Sequence, residues 1–193
     1  MYSIPTSVEV KGQSYAIRNQ GDYRMVLDCF IALNDTDLST KERVFAALII
    51  FYADMEELAD LNKFEDIDEA IKQMYIFFNC GEEFSENEKK QPKLIDWKED
   101  SQLICSAINK VAGTEIRSAE YLHWWTFMGY YLAIGESPLA NIVSIRNKII
   151  KHEKLEKYER KFQAENPHYF KNINNEVDKE YEEFIKSVWN KGK

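Results

Sequence analysis

The chain has 193 residues, of which 45% are hydrophobic and 30% charged, with a formal net charge of −8. That is the balance of a folded protein with a real core, and its sign argues against a nucleic-acid-binding body, which needs clustered Lys and Arg against phosphate. Only 7 Gly and 4 Pro interrupt the chain, too few for an all-β fold with its turn every 8–12 residues or so.

The composition suits a mainly α protein, and the pattern of apolar positions along the chain predicts a bundle of about six to eight helices with a small N-terminal β-hairpin. Charge is uneven along the chain. From Lys148 onward there are 11 basic and 9 acidic residues, so the stretch before it carries 14 basic and 24 acidic ones. The sequence therefore divides into a helical body, residues 1–150, and a charged amphipathic helical extension, residues 151–193. The alternating signs of the extension read as a solvated helix rather than a basic arm. MYSIPTSVEV lacks the basic and apolar regions of a signal peptide, and the longest apolar run, Val44–Ala53, is about half of a membrane span. The expectation is a cytoplasmic protein with no membrane partner.

In SVEVKGQSYAIR, residues 7–18, Val8 and Val10 alternate, Lys11-Gly12 turns, and Tyr15 and Ile17 alternate on the return. Asp22 caps a helix running to about Leu33 on Met25, Val26, Cys29 and Ile31. After a turn at Asn34–Asp37, Ser39 and Glu42 form the spacing of a capping box. Val44, Leu48, Phe51, Met55 and Leu58 then follow one stripe. Asp66 caps a third helix on Ile67, Ile71, Met74 and Phe78, with Gly81 placed as its left-handed stop. Residues 82–95 are polar and contain Pro92, which reads as a loop and a subdomain boundary.

Asp96 opens a fourth helix with Trp97, Ser101, Ile104, Ile108 and Val111 on one face and Gly113 as its stop. A fifth spans Arg117 to Ala133, and Ser137-Pro138 starts a sixth on Leu139, Ile142, Val143 and Ile149. The extension carries a thin stripe of Leu155, Tyr158 and Phe162, is interrupted by Pro167, and ends on Val177, Tyr181, Phe184, Ile185, Val188 and Trp189. Helices with so little apolar face must dock on the body or on a partner. Leu155, Tyr158, Phe162, Tyr181, Phe184 and Trp189 are therefore candidate partner-binding residues.

Catalytic, metal and cofactor signatures are missing. His152-Glu153 does not continue into HExxH, His168 has no ligand-spaced companion, and no phosphate-cradling or nucleophile-elbow glycine motif occurs. Cys29, Cys80 and Cys105 are scattered and read as buried free thiols. The eight carboxylates and one lysine of residues 54–69 read as a solvated face able to dock a basic partner. The segment YLHWWTFMGYY, residues 121–131, reads as a helix apolar nearly all round, buried at the centre, with Gly129 admitting a neighbouring backbone. The expected core comprises Trp97, Ile104, Ile108, Leu122, His123, Trp124, Trp125 and Met128, with His123 bonded to a neighbouring side chain or carbonyl. The protein is expected to bind other proteins and not to be an enzyme.

Several of these residues together carry a resemblance. Asp96-Trp97-x-x-Asp100, Tyr121-Leu122-His123-Trp124-Trp125-x-Phe127, Ile145-Arg146, and Leu155-x-Lys157-Tyr158-Glu159-Arg160-x-Phe162 resemble the bacteriophage "gene product fifteen" family over roughly residues 1–170. The resemblance implies a protein of the tail module of long-tailed phages and prophages of Gram-positive bacteria, working in the host bacterial cytoplasm. It further implies a tail assembly chaperone that coats the tape measure protein, helps recruit tail tube protein, and is absent from the finished virion. A structural tail or head–tail joining protein is the alternative, and a homo-oligomer is compatible with both. No catalytic residue, metal or cofactor is implied.

Overall fold

The computed structural model describes residues 3–56, 58–83, 94–171 and 179–190. Most of the expected 82–95 loop, the side chain of Leu58 and the whole of Val177 lie outside the described residues. Among those described, the chain forms one antiparallel hairpin, eight α-helices and four short 3-10 segments. It is a mainly α protein with a small N-terminal hairpin. No helix among the described residues is long and apolar enough to cross a membrane. The chain forms two compact units, one of Met1–Glu86, Glu120–Met128 and Asp178–Lys193, the other of Asn87–Ala119 and Gly129–Val177.

In the first unit, β1 (Ser7–Val10) pairs with β2 (Gln13–Ala16), placing Val8 opposite Tyr15. The two turn residues, Lys11 and Gly12, have φ of 51° and 81°, the left-handed pair that matches the twist of the strands. Val10, Tyr15 and Ile17 are buried. The next segment, Arg18–Gly21, is a tight turn with Asn19, Gln20 and Gly21 all left-handed. It aims Arg18 at the end of α2 (Thr40–Phe51), where the guanidinium donates to the carbonyls of Ile49 (3.1 Å), Ile50 (3.0 Å), Tyr52 (3.0 Å) and Met55. A cation on the last carbonyls of a helix satisfies otherwise orphaned acceptors and complements the helix dipole.

Asp22 caps α1 (Tyr23–Leu33), accepting from the Arg24 amide at 3.0 Å. Glu42 closes the capping box of α2 by accepting from the Ser39 hydroxyl at 2.6 Å and the Ser39 amide at 2.9 Å, and these hydrogen bonds hold its carboxyl below the usual range. The α2 stripe was expected to continue to Leu58, but the helix ends at Phe51. Tyr52 turns extended and bridges Ile17, so backbone pairing with the hairpin strand replaces the next helical turn. Met55 is still buried.

Asp66 caps α3 (Ile67–Phe78), and Ala70, Ile71, Met74, Tyr75, Phe77 and Phe78 are buried. Its end is a Schellman motif one residue earlier than expected. Cys80, with φ of 55°, takes the left-handed C′ position and donates to Phe77 O, while Gly81 donates to Ile76 O. Cys29 is buried as expected, with its thiol pushed well up by burial. Cys80 and Cys105 are only half-buried. The last helix of this unit, α8 (Lys179–Asn190), packs on α2 and α3.

In the second unit, α4 (Ser101–Ala112) starts later than expected because Asp96 caps a separate turn, accepting from the amides of Lys98 and Glu99 at 2.9 Å. Ile104 and Ile108 are buried, and Gly113 ends the helix in the left-handed conformation. The expected Arg117–Ala133 helix is broken. Ile116–Ser118 is a 3-10 turn, residues 119–123 are not helical, and α5 covers only Trp124–Leu132, of which Trp124–Met128 belong to the first unit. Its far end is not central. Leu132 is 76% exposed, and a Cβ at Gly129 would meet nothing within 4 Å. Ser137 and Pro138 start α6 (Pro138–Ile150) as expected, with the Ser137 hydroxyl accepting from the Ala140 amide at 3.1 Å. A short α7 (Lys157–Glu165) and the 3-10 turn Pro167–Phe170 complete the unit.

Two glycines make a controlled comparison. A Cβ on Gly21 would lie 2.7 Å from Phe77 Cζ and 2.9 Å from His123 Nε2, whereas one on Gly12 meets nothing within 4 Å. Both have positive φ. Gly12→Ala is expected to cost about 1 kcal/mol from backbone conformation alone, and Gly21→Ala at least about 2 kcal/mol because packing is also displaced. Urea unfolding of the two variants checks this, and equal losses would contradict it.

Candidate functional site

The residues that stand out in the sequence gather into two polar knots, one inside each unit. In the first unit the extended approach to α5 pairs with the start of α1. Tyr23 N donates to Leu122 O and Leu122 N donates to Asp22 Oδ2, both at 2.9 Å. The buried Asp22 carboxylate also pairs with the Arg24 guanidinium at 3.0 and 3.1 Å. His123 is buried, with Nε2 3.0 Å from Pro5 O and Nδ1 accepting from the Trp125 amide at 3.1 Å. These partners require a hydrogen on Nε2 and a lone pair on Nδ1. The ring is therefore held neutral, and burial lowers its pKa from the ordinary histidine value. With both nitrogens engaged, His123 is a structural imidazole.

The two tryptophans finish the C-terminus of α3. Trp124 Nε1 donates to Phe78 O and Trp125 Nε1 to Phe77 O, both at 2.9 Å. Together with the Asn79, Cys80 and Gly81 amides they satisfy the last four carbonyls of that helix. Trp124 is fully buried, with its ring 5.4 Å from Phe127, and Phe127 stacks on Tyr23 at 4.6 Å. Trp125 is half-buried and its indole lies 3.1 Å from where a Gly81 Cβ would be, so Gly81 is needed for close approach. Leu122 and Met128 are half-buried.

In the second unit Asp100 is 1% exposed and Arg146 9%. Arg146 Nη1 and Nη2 reach the two Asp100 oxygens at 2.5 and 2.9 Å. The same guanidinium donates to Leu94 O at 2.9 Å and to Tyr169 O at 2.9 and 2.7 Å. All five guanidinium hydrogens are used, which is the condition under which a buried pair is tolerated. Trp97, half-buried beside this pair in sequence, packs its ring 5.4 Å from Tyr131. Glu159 of α7 is buried as well, accepting from Lys148 Nζ at 2.7 Å, which holds its carboxyl below the usual range. Sequence reading did not single out Arg18, did not pair Asp100 with Arg146, and named Glu159 only within the family-like tail motif, with no role. Their key partners, the end of α2, Arg146 and Lys148, are 11 to 46 residues away, beyond the reach of local pattern.

The candidate partner-binding residues separate by environment. Tyr158 is 64% exposed. Leu155 and Phe184 are half-buried, and Phe162 is half-buried with its ring 6.4 Å from Phe170. Tyr181 and Trp189 are engaged within the first unit, Tyr181 hydrogen-bonding the Tyr75 hydroxyl and Trp189 lying edge-on to the Tyr75 ring at 6.2 Å. Along the acidic stretch a groove of about 500 Å³ is lined by Phe45, Leu61, Asn62, Phe64, Glu65 and Ile67. Among the described residues, no group of three or more His, Cys, Asp and Glu is placed to hold a metal ion.

The indole caps are unequal. Trp124→Phe leaves Phe78 O without its donor in a buried setting and is expected to cost about 1–3 kcal/mol. Trp125→Phe costs less, because Phe77 O keeps the Cys80 amide. Thermal or urea unfolding ranks them, and the reverse order would be decisive against this account. His123 adds a pH signature. Its folded pKa is depressed, so its contribution is fully present above the unfolded value of about 6.5 and declines as pH falls through that value towards the folded one. Unfolding free energies at pH 7.5 and 5.5 should differ for the native chain and converge for His123→Asn. An unchanged slope in that variant assigns the effect elsewhere.

Against known proteins, residues 2–170 match the family described as Bacteriophage Gp15 protein. No curated protein and no solved structure matches the chain. The matched span contains both knots, and α8 lies beyond it. The match points to a phage structural or assembly protein. On the strength of a match over most of its length, the chain belongs to the bacteriophage Gp15 family.

Proposed function

We propose that the protein is a phage tail assembly chaperone that binds the tape measure protein and assists assembly of the tail tube around it, without catalysing a reaction. The observation that carries this reading is membership of the phage family. The fold is consistent with it. His123, Asp100 and Arg146 of the family-like motifs are spent on internal contacts within their own units, with their hydrogen-bonding capacity met by the chain itself. What remains at the surface is an acidic body with amphipathic helices, a surface suited to helix-in-groove binding of an apolar helical client. Repeated along a long client, individually weak contacts become collectively strong.

Coexpression with the tape measure protein of the same phage tests the reading. The tape measure is expected in the soluble fraction only when this chain is present, and equal insolubility with and without it would overturn the proposal. Mass spectrometry of purified virions separates the alternative, since a structural tail or head–tail joining protein is retained and a chaperone is lost. Tyr158→Glu, at an exposed position, is expected to weaken client capture about five- to thirtyfold, the loss typical of an interface tyrosine, while leaving the circular dichroism spectrum intact.

A further inference from the structure

The helix α8 sits on a surface that the rest of the first unit presents ready-made. Its apolar side chains, Tyr181, Phe184, Ile185, Val188 and Trp189, recur at steps of three and four and form one stripe. Of these only Val188 is fully buried; the other four are half-buried. Against them stands Tyr75 of α3, which hydrogen-bonds Tyr181 through its hydroxyl and takes Trp189 edge-on against its ring. The contacts of α8 run to α3 and, more sparsely, to α2. The family match ends at residue 170, before α8 begins. The supporting helices α2 and α3, by contrast, are fixed by their own caps, by Arg18 and by the indoles of Trp124 and Trp125. None of those fastenings involves α8.

We infer that the α2–α3 face around Tyr75 is a receptor for an amphipathic helix of a partner protein, and that α8 occupies it in cis as a displaceable stand-in. The partner helix this face accepts carries an aromatic side chain and, seven and eight residues on, a β-branched aliphatic and a second aromatic, the pattern set by Tyr181, Val188 and Trp189. This identification of the surface rests on the reading of the chain as a binder of a helical client. A tethered helix competes at a local concentration of the order of millimolar, so a free helix of equal quality is excluded from the native chain unless it arrives in many linked copies. The site thus favours a long client with repeated amphipathic segments over isolated helices.

The probe is a fluorescent synthetic peptide of residues 179–190, added to the full-length protein and followed by anisotropy. Binding to the native chain is expected to be at least tenfold weaker than to full-length Val188→Asp or the milder Trp189→Ala, in which the cis helix is loosened. Adding Tyr75→Ala to either variant should remove the gain. Circular dichroism of each variant establishes that it is folded. Amide hydrogen exchange on the native protein provides a reading free of substitution, with α8 amides expected to open well before those of α3. Peptide binding no tighter in folded variants than in the native chain, or α8 amides that exchange only with global unfolding, would overturn the proposal. So would a dimer formed by exchanging α8 between copies, since the occupant would then be a second copy. If the variants bind peptide but the native chain never solubilises the tape measure, the client reading fails and the receptor face stands. If the tape measure is captured equally by the native chain and by Tyr75→Ala, the face fails and the client reading stands.

Discussion

A helix that ends inside a protein leaves its last carbonyls facing apolar surroundings, and the first unit is organised around solving that problem for α3. The Schellman turn at Cys80 and Gly81 deals with two acceptors by local backbone geometry. Phe78 O needs a donor from elsewhere, and Phe77 O takes a second one. An indole is suited to the task because it brings one N–H on a large apolar body, so the acceptor is satisfied without admitting water. Two adjacent tryptophans at the start of a helix diverge in direction and reach successive carbonyls. Placing them requires the backbone before Trp124 to be held, which is the work of Asp22 on Leu122 and of His123 between Pro5 and Trp125. Hairpin, α1, α3 and α5 therefore meet at a single set of hydrogen bonds, each of which has its partner fixed by another.

The second unit answers a different constraint with similar thoroughness. A buried carboxylate is costly unless its oxygens are matched, and removing one member of such a pair typically costs about 3–5 kcal/mol. The guanidinium of Arg146 matches both Asp100 oxygens and spends its remaining hydrogens on two carbonyls from separate segments, Leu94 and Tyr169. The planar five-donor fork is what makes this possible; a lysine there would supply one point of charge and lose the register. In both units polar groups specify how segments meet, while aliphatic and aromatic packing supplies the bulk of the stabilisation.

Local signals in the sequence were reliable where the controlling interaction is itself local. The Lys11-Gly12 turn, the Asp22 and Asp66 caps, the Ser39–Glu42 box, the Gly113 stop and the Ser137-Pro138 start all involve residues within four positions of each other. Periodicity misled where a distant strand or carboxylate intervened. The α2 stripe continues past Phe51 in sequence, but Tyr52 is claimed by Ile17. The aromatic run from Tyr121 looks helical throughout, but Asp22 draws Leu122 and His123 into extended pairing. Arg18, which closes the end of α2, gives no sign of its role, because an exposed arginine and a helix-capping arginine are the same letter. The core place of the His123 imidazole was legible in its apolar surroundings, whereas the burial of Asp100, Arg146 and Glu159 depends on partners that the sequence does not mark.

The pairing of Asp22 with Leu122 also has a consequence for synthesis on the ribosome. Its two halves are 100 residues apart, and His123 must reach back to Pro5 over 118. The hairpin and α1 through α3 emerge long before the segment that completes their buried end. The Asp22 carboxylate waits for the Leu122 amide for about 5–20 s at 5–20 residues per second, holding only its Arg24 partners meanwhile, and Phe78 O waits about half as long for the Trp124 indole, 46 residues on. The nascent chain therefore exposes an unfinished apolar face, one that closes only when the tryptophan pair leaves the exit tunnel.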